Sequence, residues 1–350
     1  MIIFFGILLF SILIFVHELG HFVAAKLSGV QVNEFAIFMG PALVKWQRGE
    51  TLYSIRCIPF GGFCAMEGED GETENPRSFQ KAAWWKRLCI LVAGAFMNFL
   101  VGILLMAIVL WPSDEMVIPV VDYAETGCTV VSEDGLHLGD RILEVDGEKI
   151  HLHSDFSMML ALNGGDVHDL VVERNGQKVI LDDFVMEKHL FGQETAPRYG
   201  FSFGTDRLDL GEKLQYIWRS SLNVVRDVRL SLQMLFTGKA GVTDLMGPVG
   251  LVQVMNESTQ QIPKFVDKLM NLLYIGAFIS INLGVMNLLP IPAVDGGRVF
   301  GLLVTTAIEA VTRRKVDPKF EGYIHTAGFL LLMALMAFVM CKDIFFIFKG

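Results

Sequence analysis

Hydrophobic positions along this chain follow two patterns. In four stretches they run almost unbroken for about the 20 residues that a helix needs to cross a bilayer. These are Ile2 to about Lys26, Leu88 to Pro112, about Leu269 to Leu289, and His325 to about Phe348. Between the second and third stretches, apolar residues instead alternate with polar ones over short runs bounded by glycine and asparagine, the pattern of half-buried strands. The contrast predicts a polytopic α-helical membrane protein with four transmembrane helices and an inserted extracytoplasmic β-rich domain. A further apolar stretch, Val299 to Val311, is too short to cross and reads as a surface-lying or re-entrant helix.

Composition strengthens the membrane reading. Of 350 residues, 52% are apolar and only 19% charged, below the soluble norm of about 25%. The net charge of −9 argues against nucleic acid as a partner. The five cysteines (Cys57, Cys64, Cys89, Cys128, Cys341) form no CxxC pair, so neither a disulfide framework nor a cysteine zinc site is indicated. No Lys or Arg precedes the first apolar run and no small-residue cleavage site follows it, so the run is expected to be a retained span.

Orientation follows from basic residues in short loops. The loop between the first two spans holds Lys45, Arg48, Arg56, Arg77, Lys81, Lys86 and Arg87, and the loop before the fourth holds Arg298, Arg313, Arg314, Lys315 and Lys319. Both loops are therefore expected in the cytoplasm, with both termini and the 113–268 segment outside. The chain then divides into residues 1–112 (two spans and a cytoplasmic-side hairpin loop), 113–190 (outer β-rich domain), 191–268 (outer amphipathic helical segment) and 269–350 (the last two spans).

Within the outer segment, "GDRILEVDGEKI" reads as turn, strand, turn and strand start, "SDFSMMLALN" as a helix capped by Ser154 and ending at Asn163, and "DLVVERNGQKVILDD" as a hairpin turning at Asn175-Gly176. This order resembles a PDZ domain over about 70 residues, a module that binds peptides by adding a strand to a sheet edge. A purely structural β domain without ligand is the alternative. Further on, Trp218, Leu222, Val225, Val228, Leu232 and Leu235 fall at helical spacing among Arg219, Arg226 and Arg229. This helix either lies on the membrane or packs on the outer domain.

The chemistry is concentrated in the first span. "ILIFVHELGHFVAAK" (Ile12 to Lys26) places two histidines and a glutamate in a lipid-compatible run, where idle ionisable groups are costly. His17 and His21 are one helical turn apart, so both imidazoles can reach one ion, and Glu18 beside them can polarise a water. A catalytic zinc site takes three protein ligands and keeps an open position. Two histidines therefore leave one ligand to find. Asp295 follows the third span in a segment broken by Pro290, Pro292, Gly296 and Gly297, and broken backbone at membrane depth lines polar cavities. Glu309 and Asp343 are rivals outside any such break.

These motifs together resemble the site-2 protease family of intramembrane zinc metalloproteases, in the bacterial regulator-of-sigma-E-protease branch. The resemblance rests on HELGH in the first span, on "NLLPIPAVDG" (Asn287 to Gly296) against the family's NxxPxPxLDG, with Val294 for its Leu, and on "GAFMN" (Gly94 to Asn98) as GxxxN. "PFGGFCAMEGED" (Pro59 to Asp70), "GPVGL" (Gly247 to Leu251) and the terminal "EGYIHTAGFLLLMALM" also fit. The resemblance implies that His17, His21 and Asp295 bind zinc, that Glu18 is the catalytic general base, and that Asn98 and Asn287 contact substrate. It implies that the hairpin from about Thr51 to Met66 pairs with substrate. It also implies single-span membrane protein substrates, such as anti-sigma factors or remnant signal peptides, in the inner membrane of a bacterial cell. A non-catalytic membrane scaffold recruiting partners through the PDZ-like domain is the alternative.

Overall fold

The computed structural model describes residues 2–69, 71, 73–191, 197–238, 250, 262–313 and 318–349. Of the quoted motifs, Gly247 to Leu251 lies outside the described residues except for Gly250, as do Arg314 and Lys315 of the basic loop. Along the chain the elements are α1 (Ile2–Ser28), β1 (Val32–Arg48), β2 (Thr51–Met66), α2 (Trp84–Leu110), β3 (Glu115–Ala124), β4 (Arg141–Val145), β5 (Glu148–Lys149) and α3 (His153–Asn163). They continue with β6 (Val167–Arg174), β7 (Gln177–Val185), β8 (Phe201–Arg207), α4 (Leu210–Phe236), α5 (Phe265–Asn287), α6 (Asp295–Thr312) and α7 (Pro318–Lys349). They form two compact units, Met1–Val109 with Ala240–Gly350, and Leu110–Lys239.

The first unit is built on helices. Among the described residues, four segments are long and apolar enough to cross a membrane: Phe5–Ser28, Trp84–Leu110, Phe265–Asn287 and Gly322–Asp343. They match the four apolar stretches of the sequence to within a few residues at each end. Helix α6, at 18 residues, is not among them. Lipid offers no hydrophobic drive to join apolar helices, so contact depends on small residues that let backbones approach. A β-carbon at Gly284 of α5 would lie 2.8 Å from the Ala95 carbonyl oxygen of α2, and one at Gly276 would lie 2.9 Å from Leu9 of α1. One at Gly20 of α1 would lie 2.8 Å from the Ala93 carbonyl carbon. The buried Ser280 hydroxyl donates to the Asn98 carbonyl oxygen at 2.7 Å, tying α5 to α2.

Strands β1 and β2 are long and bent, and they fold over one another. Residues 34–37 pair on one side with Leu52–Ile55 and on the other with Gly62–Ala65, while Ala42–Arg48 pairs with Thr51–Arg56. The result is one sheet, with 34–37 running parallel to 52–55 and antiparallel to 62–65, whose edges are 42–48 and 62–66. Its turn is pinned by Glu50, which accepts hydrogen bonds at 2.6 Å from both Lys26 and Arg77. Those bonds, the one from Arg77 foremost, hold the Glu50 carboxyl down at about 2. At the other end, the Ser11 hydroxyl of α1 donates to the Pro59 carbonyl at 2.9 Å. Met39, Leu43, Val44 and Ile58 are exposed there.

The second unit is a six-stranded sheet with two helices. Strand order is β7-β6-β4-β3-β8, with β5 paired to β4. Val121, Ile142, Val145, Leu170 and Val172 of the sheet close on Phe156, Met159 and Leu160 of α3. The β6–β7 hairpin turns at Asn175 and Gly176 with φ of 52° and 78°, the geometry that Asn-Gly favours. Three details differ from the sequence reading. Ser154 does not cap α3; the helix begins at His153, and the Asp155 carboxylate accepts from the His151 and Leu152 amides at 2.8 and 3.0 Å. The sheet extends past residue 190, because β8 pairs along β3 through Phe201, Phe203 and Thr205. Helix α4 packs on this unit: Leu230 joins the core, and Arg226 donates to the Lys149 carbonyl at 2.6 Å. Its buried face runs through Ile217, Ser221, Val224 and Val228, while Trp218 and Leu222 are exposed. Apolar residues occupy more than one side of α4, and of the stripe read from periodicity Val228 is buried while Val225, Leu232 and Leu235 are half-buried.

Candidate active site

The site lies in the first unit, where α1, α2 and the α5–α6 break converge. Helix α1 presents His17 and His21 on one face, one turn apart, with both side chains buried. Asp295 is the first residue of α6, where a carboxylate favours the helix dipole. The chain reaches it through a tight turn. Ala293 has φ 85°, a left-handed conformation that costs any residue with a β-carbon. A β-carbon at Gly297 would lie 2.9 Å from the Ile291 carbonyl carbon, and one at Gly328 of α7 would lie 2.9 Å from the Pro292 carbonyl carbon. The prolines, glycines and Asp295 thus form a single packing unit.

Three ligand atoms meet at one point. His17 Nε2 is 3.0 Å from Asp295 Oδ2, His21 Nε2 is 3.2 Å from the same oxygen, and the two Nε2 atoms are 3.1 Å apart. A tetrahedral zinc ion with bonds of about 2.0–2.2 Å separates its ligand atoms by about 3.3–3.6 Å, close to this spacing. Despite these approaches, Asp295 Oδ2 is buried and, among the described residues, accepts no hydrogen bond of proper alignment. Two imidazoles and an unsatisfied carboxylate oxygen form the donor set of a catalytic zinc site, so the residues fit the ion. Among the described residues they are the one such cluster, and Glu309 and Asp343 are not part of it.

Surrounding groups orient the histidines. His21 Nδ1 lies 2.8 Å from the Ile90 carbonyl oxygen. A carbonyl only accepts, so Nδ1 carries a proton, and in the neutral ring Nε2 is the nitrogen with a lone pair to offer an ion. His17 Nδ1 faces the side-chain amides of Asn98 and Asn287, each at 3.4 Å. Space for the two rings comes from Gly94 of α2. A β-carbon there would lie 2.8 Å from His17 Cε1 and would overlap His21 Nε2. The GxxxN motif therefore combines a glycine that admits both imidazoles with an asparagine, one turn on, beside His17.

A cleft opens onto this point. It is lined by His17, Glu18, His21 and Asp295, by the strand edge Phe63–Met66, and by Glu69 and Arg298, which form an ion pair. Asn98 and Asn287 are brought beside His17 but do not line the cleft. The supporting role of the Ile90 carbonyl has no signature in the sequence, since any residue supplies one.

The model for peptidase family M50 matches residues 5–335. The chain belongs to peptidase family M50. A candidate zinc metalloprotease of Clostridium acetobutylicum is 37% identical over 342 residues, covering 97% of this chain and 96% of its own. A second, from Clostridium perfringens, is 35% identical with 99% of each chain covered. The regulator of sigma-W protease RasP of Bacillus subtilis is 26% identical, with 97% of each chain covered. This M50 member is accordingly a zinc metalloprotease of the site-2 protease family, and the scaffold alternative is set aside.

Proposed function

We propose that this metalloprotease cuts the membrane-spanning segments of single-span proteins. His17, His21 and Asp295 hold zinc, Glu18 acts as general base, and Asn287 lies close enough to serve substrate binding. The observation that carries this reading is the convergence of three ligand atoms within 3.0–3.2 Å inside a bundle of helices long enough to cross a bilayer. Bound there, zinc supplies Lewis acidity and lowers the pKa of water toward neutrality. Glu18 shares the cleft with the ligand residues and is not one of the three, which suits a residue that takes and returns a proton.

The strand edge supports the choice of substrate. In a helical segment the backbone amides are already hydrogen-bonded, so the segment must unwind before a carbonyl can be attacked. Residues 62–66 pair with β1 on one side and, among the described residues, with no strand on the other. Phe63 to Met66 face the cleft, so an unwound substrate can add there as a strand. The relative from Bacillus subtilis is named for regulating sigma-W, which favours substrates such as anti-sigma factors; remnant signal peptides share the single-span form. The enzyme would sit in the bacterial inner membrane with both termini and the second unit outside, as the basic loops suggest. The second unit, whose strand–helix–hairpin order is PDZ-like, would admit substrates already trimmed outside the membrane.

The test uses full-length protein in detergent, its zinc content, and a model single-span substrate. Wild-type protein should carry zinc and cleave within the span. Glu18→Gln should keep its zinc while cleavage falls by about 10²- to 10⁴-fold, the usual contribution of a general base. Normal turnover by the folded variant would remove Glu18 from that role, and cleavage restricted to soluble loops would overturn the substrate class.

A further inference from the structure

A histidine that ligates zinc through Nε2 must carry its remaining proton on Nδ1, and that N–H needs an acceptor to fix the ring. His21 has one in the Ile90 carbonyl. Among the described residues His17 has no backbone carbonyl in that place; its Nδ1 meets the side-chain amides of Asn98 and Asn287. The two amides differ in their surroundings. Asn98 is fully buried at 0% exposure, whereas Asn287 is partly exposed. Asn98 Oδ1 is also a buried acceptor without a hydrogen-bond partner among the described residues, and an unsatisfied acceptor in the interior is destabilising.

A half-turn of the Asn98 amide leaves its shape unchanged and exchanges oxygen for nitrogen. The oxygen then occupies the place 3.4 Å from His17 Nδ1, where an acceptor is required. We infer that Asn98 is a positioning residue for zinc: its Oδ1 accepts the His17 Nδ1–H, fixes the ring tautomer, and aims Nε2 at the ion. Being fully buried and absent from the lining of the cleft, Asn98 has no surface to offer substrate. It acts through His17. The neighbouring Ser280–Asn98 bond at 2.7 Å holds the α2 backbone at this residue, and Gly94, one turn earlier, leaves room for the ring so held.

The inference rests on His17 being a zinc ligand, and the experiment separates the two claims. Metal-stripped full-length protein is titrated with zinc against a chromogenic chelator, for wild type and for His17→Ala, Asn98→Asp, Asn98→Leu and Asn287→Leu. Asn98→Leu should weaken zinc binding by about 10- to 100-fold, the usual cost of removing the partner of a ligating histidine. Asn98→Asp retains an acceptor and should stay within a few-fold of wild type. Asn287→Leu should change affinity less than Asn98→Leu does. Thermal unfolding of the metal-free proteins checks that each is folded; if Asn98→Leu is not, Asn98→Ala replaces it, with a loss expected in the same direction. Wild-type zinc affinity in the folded Leu or Ala variant would overturn the inference, as would an Asn98→Asp variant as weak as Asn98→Leu. Wild-type affinity in His17→Ala would instead overturn the ligand assignment beneath it.

Discussion

Each unit of the protein holds an aspartate drawn away from water, and the two are partnered in opposite ways. Asp140, in the second unit, is 1% exposed and fully served: Arg174 donates to both of its oxygens at 2.9 and 2.7 Å, and the His137 amide adds a bond at 2.8 Å. Asp295, in the first unit, has two histidine nitrogens at 3.0 and 3.2 Å and a buried oxygen that accepts no aligned hydrogen bond among the described residues. A bidentate arginine is a complete partner for a carboxylate. Two imidazole nitrogens that make no aligned hydrogen bond to it are not; together with the carboxylate they form a donor set that a cation would complete. The first arrangement is architecture and the second has the make-up of a metal site, although both place a buried carboxylate oxygen beside nitrogens.

The sharpest way to break this comparison is to neutralise each aspartate and measure metal and stability together. Asp295→Asn keeps the size and removes the charge. Zinc affinity should fall by more than the about 10- to 100-fold that losing a supporting residue costs, and proteolysis should stop while membrane insertion persists. Full zinc occupancy and normal cleavage would reduce Asp295 to a turn residue. Asp140→Ala should do the reverse. It strands the Arg174 guanidinium, and breaking a buried pair costs about 3–5 kcal/mol. Because Arg174 is 21% exposed, the loss should lie near the lower bound, read as earlier denaturant unfolding of the second unit in the full chain with zinc affinity unchanged.

The two units also differ in how much of them could be read beforehand. Long apolar runs fix helices in a membrane protein because every backbone group must be satisfied within its own segment, so the four helices long enough to cross were legible. His17 and His21 were legible because ionisable groups in such a run demand a reason. Asp295 stood out by the proline and glycine break around it. Gly94 did not: its role depends on which helix face meets α1, and a single small residue carries no such information. The Ile90 carbonyl is invisible in any sequence. In the second unit, β8 escaped because its seven residues include Gly204, and glycine weakens a strand pattern. The docking of α4 stood as one of two alternatives because a helix with apolar residues on several sides does not declare which one is buried; Leu230 reaching the core and Arg226 reaching the Lys149 carbonyl favour packing on the second unit.

The smallest expected effect concerns a third aspartate, on α4, that is partnered less well than Asp140. Burial raises the Asp227 carboxyl to about 6, with the nearby Asp155 charge adding to the rise and Arg226 opposing it. An unfolded aspartate titrates near about 3.9. Between those two values the folded chain binds the proton that the unfolded chain has released, so this group favours folding most below about pH 4 and loses its contribution as pH rises through 6. At neutral pH the charged carboxylate is a burden on the second unit. Burial also lowers the His151 and His153 imidazoles, whose effect runs the other way, so wild-type stability alone would mix the two. The difference between wild type and Asp227→Asn isolates the aspartate. Two pKa units correspond to about 2.7 kcal/mol, and partial exposure reduces this to about 1–2 kcal/mol. Asp227→Asn should therefore stabilise the second unit by that amount at pH 7.5 and by less at pH 5, measured by denaturant unfolding of the full chain. An advantage that does not shrink on acidification would show that the substitution acts through packing rather than charge.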